Sequence, residues 1–290
     1  MVKLFITGVS GQVGSEVLRL SEHKNYGIYF SNVPRFPHEN LLKVDIRDRD
    51  HVFNVVKKID PDWIIHCAAS TKVDWCETNK DQATEINIDG TKNLVDASKE
   101  VNSKFLFVST DYVFDGNKGN YKETDETCPV NFYGQTKLDA ELYVKTLKDY
   151  LIMRTSHVFS PLPDNFVLWV IEKLKTGGID CPQDMISSPT LALELAEAIL
   201  KAVGKNLSGI YHSASAESIS RYDFAKKIAK AFRYDESKVI PIKMIELKFA
   251  AKRPINSSLD ISKILSEGIK FSDVDEALKR LKDEMIVLTT

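Results

Sequence analysis

Tyr133 and Lys137 lie four residues apart in the run Asn131-Phe132-Tyr133-Gly134-Gln135-Thr136-Lys137. On a helix, that spacing places both side chains on one face. A phenol with an ordinary pKa of about 10 is a poor acid or base at neutral pH. A neighbouring ammonium stabilises the phenolate and moves the pKa toward the working range. The same ammonium can reach ribose hydroxyls. Thr110 closes the apolar run Phe105–Ser109 and can donate a hydrogen bond to an oxygen that gains negative charge. A Tyr-x-x-x-Lys spacing alone describes a solvated helix face equally well; Ser109-Thr110 on a strand end and a glycine loop upstream favour acid–base chemistry.

That loop is Lys3-Leu4-Phe5-Ile6-Thr7-Gly8-Val9-Ser10-Gly11-Gln12-Val13-Gly14, a strand followed by three spaced glycines and a helix. Gly8 permits the tight turn, Gly11 lets the backbone approach a pyrophosphate, and Gly14 lets the helix pack closely on the strand. The amides opening the helix then point at the phosphates. An NAD site places a carboxylate at the end of the second strand, whereas a 2′-phosphate needs cations or neutral donors. Here the chain reads Tyr29-Phe30-Ser31-Asn32-Val33-Pro34-Arg35, without an acid. Ser31, Asn32 and Arg35 therefore point to NADP, with NAD as the alternative; Arg35 equally suits a solvated loop. Ala68 and Ala69, before Ser70, leave room for a cofactor over a strand end or serve tight packing.

The elements that must hold these residues alternate strand with helix. Strands are expected at Lys3–Thr7, Gly27–Ser31, Trp63–Cys67, Phe105–Ser109, Leu151–Arg154 and Ile210–His212. Helices are expected at Gln12–Ser21, Asp50–Lys58, Gln82–Glu100, Tyr133–Leu147, Leu191–Val203 and Arg221–Phe232. Several strands are apolar on both faces, as in a parallel sheet covered on each side by helices. The expected fold is α/β, a Rossmann-type doubly wound parallel sheet with a smaller, mixed C-terminal region. Residues 1–154 would bind NADP, with segments near 187–215 returning to that unit, and residues 155–290 would mainly bind substrate. Prolines 161, 163, 182 and 189 with Gly177 and Gly178 break the later chain into short pieces.

The 290 residues carry a net charge of −2, which offers no general field for nucleic acid or an anionic membrane. Cys67, Cys76, Cys128 and Cys181 show neither zinc-ligand nor disulfide-framework spacing, so no metal is expected. No apolar run approaches the roughly 18 residues that span a bilayer. The start, MVKLFITG, runs straight into a strand without a signal-peptide layout. A reduced, cytoplasmic, soluble protein is expected.

The chain resembles the extended short-chain dehydrogenases/reductases, and within them the dTDP-4-dehydrorhamnose reductases. The matching pieces are TGVSGQVG, STDYVFDG at 109–116, Asn131-x-Tyr-Gly-x-Thr-Lys-Leu with Glu141, Arg154-Thr155-Ser156, Ser188-Pro189-Thr190, Gly209-Ile210-Tyr211-His212 and Arg253-Pro254-x-Asn256-Ser257. The resemblance implies that Thr110, Tyr133 and Lys137 are catalytic. NADPH would deliver hydride to C4 of a nucleotide-linked keto sugar while Tyr133 protonates the oxygen. It implies cofactor contacts at Gly8, Gln12, Val13, Asp45, Ile46, Ala68, Ala69 and Lys137. It also implies that Asp111, Tyr112 and Phe114 shape the floor, although Phe114 also suits plain core. His157 stands where relatives tend to carry Trp, and is either a substrate contact or an ordinary polar residue. Arg253 could meet a phosphate or form a structural salt bridge. A homodimer is expected by analogy.

Two alternatives stay open. One is another nucleotide-sugar ketoreductase, epimerase or dehydratase; a dehydratase needs an acidic pair, and Asp111 is followed by Tyr112. The other is a non-catalytic NADP-binding subunit, like the regulatory subunit of methionine adenosyltransferase.

Overall fold

The computed structural model describes residues 2–287; residue 1 and residues 288–290, the outer ends of the two expected units, lie outside the described residues. Seven strands form one parallel sheet: β1 (Lys3–Thr7), β2 (Lys24–Tyr29), β3 (Leu41–Lys43), β4 (Trp63–His66), β5 (Lys104–Thr110), β6 (Tyr150–Thr155) and β7 (Gly209–His212). Their order is β7-β6-β5-β4-β1-β2-β3, so the chain turns back on itself between β1 and β4. In such sheets ligands bind outside the carboxyl ends of the strands at that switch. Period-two alternation sends Leu4 and Ile6 to one core and Phe5 to the other. Phe105 and Phe107 likewise oppose Leu106, which is why the strands read as apolar on both faces.

The helices that matter for the site are α1 (Gln12–Leu20), α2 (Arg49–Ile59), α3 (Gly90–Glu100), α4 (Phe132–Val144), α5 (Phe166–Thr176), α6 (Ala192–Gly204), α7 (Arg221–Ala231) and α8 (Val274–Val287). Their starts are written locally. Asp48, Asn131, Asn165 and Ser220 each accept a bond from a backbone N–H of the first turn. Helix α6 packs beside α1, so chain from beyond residue 190 helps to cover the sheet. A separate apolar core, including Val170, Leu174, Phe224, Ile228 and Leu281, joins α5, α7 and α8. Among the described residues, no helix is long and apolar enough to cross a membrane.

Three expectations need correction. The second strand starts at Lys24 and ends at Tyr29, because its ladder follows β1 from Lys3 to Thr7; Ser31 falls in the loop beyond. The short β3 was not expected, and its sequence Leu-Leu-Lys is too brief to show a period. The expected helix Gln82–Glu100 is interrupted: Lys80–Thr84 is α-helical, Glu85–Asp89 is a π-helical turn, and α3 follows. Such single π turns are frequent at functional sites.

Candidate active site

Gly8 leaves β1 with φ +71°, a left-handed conformation that glycine adopts without strain. Its N–H and that of Val9 donate to the Ile28 carbonyl at 3.0 and 3.3 Å. A Cβ at Gly8 would sit 2.8 Å from the Ala68 nitrogen, and one at Gly14 would sit 2.4 Å from the Gly8 carbonyl. These two glycines are therefore required by the turn and by helix–strand contact. Gly11 is different, since a Cβ there would meet only the Gly8 carbonyl, at 3.2 Å. Gly11 is also the N-cap of α1 and brings no capping side chain, so the first amides of that helix remain available to an anion.

The surrounding side chains tie this loop down. Thr7 Oγ1 bonds His66 Nδ1 at 2.7 Å and accepts from the Cys67 and Ala68 amides. Gln12 Oε1 accepts from Ser160 Oγ at 3.0 Å, linking the loop to the chain beyond β6. Val13 packs on the core. The Ser70 amide donates to Asn87 Oδ1 at 2.8 Å, while Asn87 Nδ2 donates to Ser70 O and Thr136 Oγ1, both at 3.0 Å. Asn87 thus connects the Ala68-Ala69-Ser70 strand end to α4. Sequence reading missed it, because its position depends on the π turn, which has no period of its own.

At the far corner, Ser31, Asn32 and Arg35 lie exposed in the loop after β2. Arg35 stands over the Phe36 ring at 6.0 Å. Arg47, missed from the sequence, is a second cation here: it lies over Phe30 at 5.4 Å and grips Asp45 at 2.7 Å. That hydrogen bond holds the Asp45 carboxyl below its ordinary range. Asp45 is therefore engaged by Arg47. Ile46 is buried beneath Gly90.

Thr110, Tyr133 and Lys137 come together where β5 ends and α4 begins. Lys137 is buried, donates to the Val108 carbonyl at 2.8 Å and lies 3.9 Å from the Phe107 ring centre. Burial pushes its pKa down to about 7. Burial also pushes the Tyr133 phenol up, opposed by a hydrogen bond from Thr110. Burial is the largest influence on both groups, raising the phenol and lowering the ammonium. Thr110 has one hydroxyl proton and two takers, the Tyr133 oxygen and Asp111 Oδ1, the latter at 3.1 Å.

Asp111, expected to shape the floor, sits next to Thr110 beneath this centre. It is buried and accepts from Ser156 at 2.7 Å and from Ser257. Burial raises its pKa to about 6, with those hydroxyls working the other way. Phe114 is core, stacked on Tyr121 with centroids 4.2 Å apart. Beneath the site, Glu141 accepts from Ser109 at 2.6 Å and takes a two-pronged contact from Arg154 at 2.9 and 2.7 Å.

Tyr112 links this centre to a cavity of about 790 Å³. It packs edge-on against Tyr133 at 6.0 Å and against His157 at 5.9 Å. His157 and Arg253 both line the cavity. Arg253 pairs with Asp74 at 2.9 Å, so the salt-bridge alternative holds while the side chain keeps its place on the wall. Arg221, also on that wall, was missed as a site residue. A cation at the first position of a helix opposes the macrodipole and was the available signal.

The model of the RmlD substrate binding domain matches residues 2–287. A dTDP-4-dehydrorhamnose reductase from Aggregatibacter actinomycetemcomitans is 34% identical, covering 97% of this chain and 99% of that protein. The methionine adenosyltransferase 2 subunit beta of Pongo abelii is 30% identical over 92% of this chain and 83% of its own length. Among solved structures, the Bacillus anthracis dTDP-4-dehydrorhamnose reductase in complex with NADP superposes with a TM-score of 0.89 at 33% identity, covering 98% of this chain and 99% of that one. The glycine loop, the Thr110–Tyr133–Lys137 centre and a match over the whole described length agree, and the chain belongs to the dTDP-4-dehydrorhamnose reductase family of extended short-chain dehydrogenases/reductases.

Proposed function

We propose that this protein is an NADPH-dependent reductase of the C4 keto group of a nucleotide-linked sugar, with dTDP-4-dehydrorhamnose, reduced to dTDP-rhamnose, as the best-supported substrate. The observation that carries this reading is the convergence of Tyr133, Lys137 and Thr110 at the end of β5, with the cavity wall one ring contact away through Tyr112. Residues 1–154, with the later chain that completes the sheet, would hold the cofactor, and the rest of the C-terminal part would hold the sugar nucleotide.

The glycine cradle fits a dinucleotide. The Cβ positions of Gly8 and Gly14 are filled by protein, whereas one at Gly11 would meet only the Gly8 carbonyl, at 3.2 Å, beside uncapped helix amides. Gln12, Val13, Asp45, Ile46, Ala68, Ala69 and Ser70 border the cofactor groove in this reading. Ser31, Asn32 and Arg35 would favour NADP over NAD, with Arg47 as a further cation at that corner. Bound NADPH supplies the hydride. Tyr133 holds the proton destined for the keto oxygen, Thr110 orients that oxygen, and Lys137 holds the ribose and offsets charge on the phenol. Lys137 has a second consequence. With its pKa near 7 in this structure, an anionic cofactor beside it favours the ammonium, so binding is accompanied by proton uptake.

The methionine adenosyltransferase subunit supports a second reading, a cofactor-binding subunit without turnover. One experiment separates the two: NADPH oxidation with dTDP-4-dehydrorhamnose, measured for the parent and for Tyr133→Phe. The reductase reading expects turnover to fall by roughly a hundredfold or more, with NADPH affinity unchanged. Equal rates in both, or no turnover on any keto-sugar nucleotide, would count against it. A cytoplasmic homodimer belongs to this reading, and sedimentation at several concentrations checks the assembly.

A further inference from the structure

Arg221 opens α7, and its side chain forms part of the cavity wall with Tyr112, His157, Phe166 and Arg253. Its guanidinium lies 4.3 Å from the Phe166 ring centre. Nη2 reaches the His157 ring nitrogens at 2.6 and 3.0 Å, and Nη1 is buried without a hydrogen-bond partner. Among the described residues no carboxylate comes within ion-pairing distance of it. Asp164, on the same wall, pairs with Lys72 at 3.4 Å, and Asp74 is committed to Arg253. Asp111 acts on Arg221 favourably but from beyond contact, its oxygens taken by Thr110, Ser156 and Ser257.

This arrangement is unfavourable for the protein alone. A desolvated cation without a counter-ion costs free energy, as does an unmet buried donor. Placing that cation on the first turn of a helix adds repulsion from the macrodipole. His157 is adapted to it. Its backbone sits at φ +40°, outside the region a β-carbon prefers, and its ring faces Arg221. Burial and the two guanidiniums push its pKa well below the ordinary value, so it stays neutral and can accept from Arg221.

Resting on the proposed reductase reading, we infer that Arg221 is a specificity residue whose guanidinium receives paired anionic oxygens of the substrate inside the cavity. The planar fork suits two oxygens at once. Its place is two ring contacts from Tyr133, through Tyr112 and His157, which puts the anion away from the reacting carbon. A diphosphate joining sugar to nucleoside and a carboxylate on the sugar carry the same chemistry.

The experiment compares the parent with Arg221→Gln and Arg221→Lys by calorimetric binding. dTDP against thymidine reports the diphosphate, and UDP-glucuronate against UDP-glucose reports a sugar carboxylate. Arg221→Gln is expected to narrow one of these affinity gaps at least about tenfold, with Arg221→Lys in between and NADP affinity unchanged. Its melting temperature should hold or rise, because an uncompensated charge is removed. Which gap narrows identifies the source of the anion. If neither gap changes while NADP still binds, the inference is overturned. It is equally overturned if melting temperature and NADP binding fall together, which marks Arg221 as structural. Failure of the reductase reading shows separately, as undiminished turnover in Tyr133→Phe.

Discussion

Burial acts on Lys137 and Asp111 in opposite senses. It disfavours the ammonium, whose pKa falls from 10.5 to about 7, and the carboxylate, whose pKa rises from 3.8 to about 6. For Asp111 the folded state keeps its proton to higher pH than the unfolded chain. Its contribution to stability is therefore fully present below about pH 4 and is lost as pH rises through about 6. Asp111→Asn should flatten the pH dependence of unfolding free energy across that window, by on the order of 3 kcal/mol, and with it the melting-temperature curve. A slope identical to the parent's would show that Asp111 does not titrate there. For Lys137 the sign is reversed: the unfolded chain holds the extra proton between about pH 7 and 10.5, so its contribution to stability grows with pH in that range. Proton uptake on NADPH binding should appear near pH 8, as a binding enthalpy that varies with the buffer's ionisation heat, and should vanish in Lys137→Met. Tyr133, Lys137 and Thr110 were legible as candidates because their residue types, the glycine loop and the family resemblance point the same way, and the structure brings them together at the end of β5. Arg221 and Asn87 were not, since their significance lies in which partners they lack or bridge, and those come from distant chain.

At the scale of elements, β1, α1, β5 and α4 position everything the chemistry needs. Their sequences were readable because each strand is apolar on both faces and each glycine has a single duty. Gly14→Ala should prevent correct packing of α1, since its Cβ would overlap the Gly8 carbonyl; soluble yield and unfolding report that. Gly11→Ala meets only one contact, at 3.2 Å, and should spare the fold while weakening NADP binding. The π turn at Glu85–Asp89 could not be read, because a run of helical period looks continuous until tertiary contacts decide its winding. Asn87→Ala removes the bridge between Ser70 and Thr136 and leaves buried groups unmet. A cost of about 1–3 kcal/mol in urea unfolding is expected, together with weaker cofactor affinity. The two-residue strands after β6 lay below any periodic signal, although the Pro and Gly positions did announce an irregular region.

At the scale of the molecule, the sheet has a core on each face, and a third core gathers α5, α7 and α8. The return of α6 and β7 to the sheet means that the N-terminal and C-terminal parts of the chain support one another. NADP should therefore stabilise the whole protein, by about 2.7 kcal/mol at a hundred times its dissociation constant, and raise its melting temperature. In the proposed reading, the cavity beside Tyr112 would take the sugar nucleotide and the glycine cradle the dinucleotide. Hydride passing between the two is the central claim, and isotope transfer tests it most directly. With NADPH deuterated at the transferring position of the nicotinamide, dTDP-4-dehydrorhamnose should yield dTDP-rhamnose carrying one deuterium at C4, and Tyr133→Phe should yield almost none. Unlabelled product, or NADPH that binds and is never oxidised by any keto-sugar nucleotide, would contradict the account.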